Sequence, residues 1–279
     1  MLDADVELVP IRTSGDERAG GEESADSPPA DKSRFVKELE DALLRGDVDM
    51  AVHSAKDVPS ELPECLRIVG VPERADARDA ICGADSLDAL PEGAVVGTSS
   101  LRRRSQLLAY RPDLRVEDLR GNVDTRLRLL DEGRYDALVL AAAGLARLGR
   151  ESEGTPIPAG ALTPAGGQGC LALEAREGDE RAARLARAVT HRDSLERLTA
   201  ERALVAALDA SCRTPLGAHA ERSGEELVLS SFVGLPDGAT WIRDSLAGSA
   251  AYPADLGAAA ADRLLAAGAG ELLADLNAP

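Results

Sequence analysis

Aromatic residues are almost missing from this chain: one Trp, three Tyr and two Phe in 279 residues. An interior with so few rings has to be filled by Ala, Leu and Val, and a hydrophobic content of 44% supplies enough of them for a globular protein. Cysteine is scarce as well. Cys65, Cys82, Cys170 and Cys212 are widely spaced with no CxxC pair, which argues against a disulfide framework or a zinc site and fits reduced thiols. The three histidines, His53, His191 and His219, form no metal-ligand cluster with them. Basic residues are outnumbered, 32 Lys and Arg against 49 Asp and Glu, for a net charge of -17. That balance disfavours nucleic acid as a partner and repels polyanions wherever arginine is not locally concentrated. No apolar run reaches membrane-spanning length, and Met1 to Asp5 does not read as a signal peptide. The expectation is a cytoplasmic protein without a membrane partner.

The length suits two or three modest domains. Val6 to Ile11 reads as a strand, the polar stretch 13–33 as a mobile loop, and Arg34 to Arg45 as an amphipathic helix with Phe35, Leu39, Ala42 and Leu43 on one face. Asp49 to His53 and Leu66 to Val71 read as strands. From about Ala77 strand–turn–helix units repeat: strands at 94–97, 114–118 and 137–141, each followed by a helix. Short continuous apolar strands in such a series indicate a parallel sheet covered on both faces. Thr163 to Gly169 interrupts the series as a hinge. Beyond residue 190 a long helix, a hairpin signalled by Pro236-Asp237-Gly238 and two further helices make an α+β unit.

Three strand ends carry chemistry. Thr98-Ser99-Ser100-Leu101-Arg102-Arg103-Arg104 opens a helix, where unpaired N–H groups, serine hydroxyls and guanidinium groups favour an anion. The plainer reading is a serine cap followed by a solvated basic face. Arg120-Gly121-Asn122 with Arg126 repeats the theme at the next strand end, where guanidinium forks suit carboxylate or phosphate. His53 to Asp57 follows a third strand. Lys56 lowers the cost of keeping Asp57 ionised, and an ionised carboxylate facing a pocket holds an N–H donor or a developing cation. His53 reads as a packed core histidine. Gln168, in a glycine-rich stretch without a nucleotide-binding pattern, is placed to face the cleft. Cys212, where an Ala-rich helix runs into a Pro/Gly turn, is the remaining candidate: a thiol held out on a loop, or a small buried hydrophobe.

Taken in order, RFVKELEDALL, DMAVHSAKDVP, VVGTSSLRRRSQL, DLRGNVDTRL, YDALVLAAAGLARLG, PAGGQG, LTAERAL and the Cys212 loop resemble the hydroxymethylbilane synthase (porphobilinogen deaminase) family. The resemblance implies an α/β fold of two doubly wound lobes like those of a type II periplasmic binding protein, plus a C-terminal α+β domain. Residues 1–76 with 165–190 form the first lobe, 77–164 the second, and 191–279 the domain carrying Cys212. It implies a dipyrromethane cofactor in thioether linkage to Cys212, porphobilinogen as substrate, Asp57 as the catalytic carboxylate, and a monomer. Lys56, Ser100, Arg102, Arg103, Arg120 and Arg126 bind acetate and propionate groups, Lys32 contributes from the polar loop, and Thr98 and Gln168 complete the binding set. The family's opening pattern, ATRxSxLAxxQ, has no counterpart here, so the first lobe is expected to lack a strand and helix. A small-anion-binding module and an inactive truncated form are the alternatives.

Overall fold

The computed structural model describes residues 5–11, 33–211 and 214–276. Residues 5–11 form no strand, and Val6, Leu8 and Val9 are exposed. This corrects the sequence expectation. Apolar residues settle into a strand only where a neighbour takes up their backbone N–H and C=O groups, and among the described residues nothing pairs with this segment. The loop expected over 13–33 lies outside the described residues except for Ser33, which opens helix α1 (Ser33–Arg45).

After α1 come β1 (Ala51–Ser54), a 3-10 turn (Ala55–Asp57) and β2 (Leu66–Gly70). The chain then builds a second sheet from β3 (Asp79–Cys82), β4 (Val95–Gly97), β5 (Arg115–Glu117), β6 (Ala137–Ala141) and β7 (Thr155–Pro156). Helices α2 (Leu101–Tyr110), α3 (Val123–Asp131) and α4 (Ala142–Arg147) follow β4, β5 and β6. Strand β8 (Leu171–Arg176) returns to the first sheet and sits between β1 and β2. The first sheet is antiparallel throughout, and in the second only β5-β4-β6 is parallel. Apolar runs report burial on both faces and carry no direction, so the expected parallel sheet is mixed. Leu43 of α1 packs on Ala51 and Leu66, while Ile81, Val96, Val139 and Leu107 fill the second lobe.

Helix α5 (Glu180–Val189) lies against β2 so closely that a Cβ on Gly70 would meet Ala186 at 2.8 Å. The last unit joins helix α6 (Arg192–Ala207) to a meander of β9 (Leu216–Ser223), β10 (Glu226–Gly234) and β11 (Trp241–Ser249), followed by α7 (Pro253–Ala266) and α8 (Ala269–Leu276). Its core is Ala, Leu and Val, as the shortage of aromatics requires. Among the described residues no helix is long and apolar enough to cross a membrane.

Among the contacts that tie this unit to the lobes, two are built on single side chains. Arg243 donates to the Gly160 and Ala161 carbonyls of the returning crossover and lies over the Phe232 and Trp241 rings, 5.6 and 5.9 Å from their centroids. Glu201 of α6 is the other joint, with no exposure at all. Its carboxylate accepts from Arg74 Nη1 (2.6 Å) and Nη2 (3.1 Å), from the Gly167 N–H (2.7 Å) and from the Ala220 N–H (2.8 Å). One side chain thus holds both crossovers and the third sheet. Burial alone would raise its pKa; the charge and hydrogen bonds of Arg74, with His219 nearby, outweigh burial and hold it at about 2. A depressed carboxyl stabilises the fold fully above its unfolded pKa near 4.5, and the stabilisation is lost as pH falls from there towards 2. Glu201→Ala leaves Arg74 buried and unpaired and is expected to cost about 3–5 kcal/mol. Urea unfolding at neutral pH and at pH 3 checks both parts, because the gap between variant and parent narrows in acid.

Candidate active site at the lobe junction

Strand β1 ends at Ser54, and the 3-10 turn that follows places Lys56 and Asp57, both half-buried, at the junction of the lobes. The turn is seated by the returning crossover. Gly167, with φ of 76°, brings its α-carbon so close that a Cβ would lie 3.0 Å from the Ala55 carbonyl carbon and the Lys56 nitrogen. Only glycine accepts both that dihedral and that approach. Lys56 Nζ donates to Gln168 Oε1 at 3.4 Å. Between the lobes a small crevice of about 60 Å³ is lined by Ser54, Lys56, Gly167 and Cys170 from the first lobe and the returning crossover and by Ala141, Ala143, Gly144 and Arg147 from the second.

The second lobe brings the C-terminal ends of β4, β5 and β6 side by side, where α/β sheets hold ligands. Thr98 is buried, its N–H donating to the Glu117 carbonyl and its Oγ1 accepting from Ser100 N. The Ser100 side chain accepts from Arg103 N, capping α2, and Asn122 caps α3 through Thr125 N. The serine cap of the plainer reading is therefore present at Ser100.

Arg102 and Arg103 were expected to fork onto ligand carboxylates. Both are buried instead, at 5% and 6% exposure, and both fork onto Asp79. Arg102 also donates to the Thr163 carbonyl and Arg103 to the Val139 carbonyl. Two guanidinium groups withdrawn from water need an internal anion, and Asp79 at the start of β3 provides it. Gln168, buried as well, donates Nε2 to the Ala77 carbonyl and to Asp79 Oδ1. Its side chain thus spans from the Asp79 cluster to Lys56 and does not stand open in the cleft.

Arg126 behaves differently. Its Nε donates to the Gly121 carbonyl at 2.7 Å, and among the described residues it has no ion pair with a carboxylate. Burial, with the nearby Arg103 charge, lowers its pKa to about 10. Arg120, also half-buried, lies in the segment that follows β5. A desolvated cation next to another cation is stabilised by an incoming anion.

One family accounts for nearly all of the sequence. The model described as "Porphobilinogen deaminase, dipyromethane cofactor binding domain" matches residues 1–184, and "Porphobilinogen deaminase, C-terminal domain" matches residues 195–266. The chain belongs to the porphobilinogen deaminase family. The family consists of transferases of tetrapyrrole biosynthesis, and the larger match is its dipyrromethane-binding part. Among solved structures the chain has partial likenesses. YhfZ from Shigella flexneri is 23% identical over 64% of this chain and 79% of that one, with a TM-score of 0.30. The periplasmic VFT2 domain of BvgS from Bordetella pertussis is 21% identical over 55% and 66%, with a TM-score of 0.32. A TRAP periplasmic solute binding protein from Desulfovibrio salexigens is 12% identical over 55% and 57%, with a TM-score of 0.36.

The residues present fit a porphobilinogen deaminase cofactor bearing carboxylate side chains. Arg126 has no carboxylate partner among the described residues, and Lys56 and Arg147 both line the crevice, Arg147 donating to the Gly169 carbonyl at 2.8 Å. Cys212 and Lys32 lie outside the described residues. The stem of the cysteine loop is described: the Ser211 N–H donates to Thr214 Oγ1 at 2.9 Å and the Thr214 N–H to the Ser211 carbonyl at 3.0 Å. Cys170 lines the crevice, but burial pushes its thiol up to about 11, and Cys82 is pushed up equally. Both stay protonated and poorly nucleophilic at neutral pH. Sequence reasoning missed Arg147. Its place at the end of the short helix after β6, the third strand end in the row, was the available signal.

Proposed function

We propose that the chain is a hydroxymethylbilane synthase, condensing four porphobilinogen molecules head to tail, with loss of ammonia, on a dipyrromethane primer held by Cys212. The desolvated guanidinium of Arg126, with no carboxylate partner among the described residues, carries this reading, because each pyrrole unit brings two carboxylates to such a site. When bound, the primer supplies the pyrrole terminus to which each unit is joined. Arg120, Arg126, Arg147 and Lys56 hold acetate and propionate groups from both sides of the junction. Ligand carboxylates reach Arg102 and Arg103 by competing with Asp79, so we assign that pair first to fixing the strand ends. Asp57 accepts pyrrole N–H groups and opposes the positive charge that develops on a substrate as its ammonia departs. Tethering through sulfur makes each addition intramolecular and retains the growing chain between steps.

Expression in a porphobilinogen-producing cell, followed by intact mass measurement, tests the proposal. The expected result is a dipyrromethane-sized adduct mapping to Cys212 and absent from Cys212→Ser. An adduct on Cys65, Cys82 or Cys170, or ligand binding without any covalent adduct, rejects it. The second outcome favours a small-anion-binding module.

A further inference from the structure

Glu201 and its neighbour on α6 face different partners. Arg202 reaches the loop that follows the Lys56–Asp57 turn, donating from Nη1 to the Val58 carbonyl (3.1 Å) and from Nη2 to the carbonyls of Pro59 (2.7 Å) and Ser60 (3.1 Å). Three consecutive carbonyls from one end of the chain thus converge on one guanidinium from the other. Among the described residues Arg202 has no ion pair, and burial lowers its pKa against the opposing charge of Glu174. A cation is desolvated here for the sake of three carbonyl oxygens, a task for which a rigid planar fork is suited and a point charge is not. Burial of Val58 beside Leu62 in the core also holds the loop, whereas its backbone bonding is weak. Pro59 has no N–H, and Val58 N to the Ala55 carbonyl at 3.3 Å is a long bond. Beside the fork lies a small crevice of about 40 Å³, lined by Lys56, Val58, Ser60, Gly166 and Val205. Helix α6 ends at Ala207, five residues before Cys212.

We infer that Arg202 is a positioning residue: its fork fixes the Lys56–Asp57 turn to the helix that leads into the cysteine loop, setting the distance between carboxylate and tethered chain. The inference rests on the proposed roles of Asp57 and Cys212. A misplacement of about 1 Å at a reacting centre is enough for a loss near 10²-fold.

The test compares Arg202→Met and Arg202→Lys with the parent, each isolated from porphobilinogen-producing cells. Arg202→Met is expected to carry the full adduct, to lose about 10²-fold in kcat with KM within about twofold, and to exchange the amides of residues 55–61 about tenfold faster while those of β10 are unchanged. Arg202→Lys keeps charge and reach but not the fork, and should fall between the two. A raised KM with kcat retained would make Arg202 an anion contact; parent-like kcat and exchange would make it a packing residue. Either result overturns the inference. If the methionine variant does not fold, the lysine variant decides: parent-like kcat and exchange overturn the inference, and a loss of about tenfold with faster loop exchange upholds it. A parent protein without adduct or turnover sinks the proposed reaction, while the exchange comparison still judges the Arg202 contact.

Discussion

Asp79→Asn is expected to lower the stability of the fold by about 3–5 kcal/mol, the loss that follows when one partner is removed from a buried ion cluster. Asp79 is wholly buried and is the shared anion of Arg102 and Arg103. Asparagine fills the same space but leaves two guanidinium groups facing a neutral amide. Burial would raise the Asp79 carboxyl, but the charges of Arg102 and Arg103 outweigh it and hold the group well below the usual carboxylate range. The contribution is therefore complete above the ordinary value of 3.8 and fades only as pH falls below it. Urea unfolding should show a lower midpoint with an unchanged slope, and parent and variant should converge in strong acid. In an Arg102→Met, Arg103→Met background the same substitution should cost far less, because the stranded charges are gone. An equal loss in both backgrounds would mean that Asp79 acts through packing or through Gln168 instead.

Asp57→Ala should reduce turnover by about 10²–10³-fold, the usual effect of deleting a preorganised group aimed at developing charge. Asp57 is half-buried on a 3-10 turn that Gly167 and Arg202 seat from two sides, so truncating its side chain removes charge and leaves the backbone in place. The adduct on Cys212 should still be present, which separates attachment of the primer from its extension. Intact mass and product formation, measured on the same preparation, give both readings. Turnover within tenfold of the parent would remove Asp57 from the chemistry.

Much of the fold was legible because buried runs and caps are local. The strand Ala137–Ala141 and the helix Leu101–Tyr110 fall where the sequence puts them. Strand direction was not legible, since β8 enters antiparallel through contacts made far along the chain. Nor was Val6 to Ile11, an apolar segment for which no partner strand is present among the described residues. At the site the residue types were readable and their orientation was not. Three consecutive arginines look alike in a string; only packing turns Arg102 and Arg103 inward onto Asp79 and leaves Arg104 36% exposed. Arg126 was named for its place at a strand end, and the burial without a carboxylate partner among the described residues that makes it informative is a three-dimensional property.

The stacking of Arg243 on Trp241 has a practical corollary. The indole is the chain's sole tryptophan, and the arginine beside it is the one that grips the crossover returning from the second lobe. Rotation of that lobe against the last unit should shift the guanidinium over the ring, so the emission of the native fluorophore is expected to report that movement with no label attached.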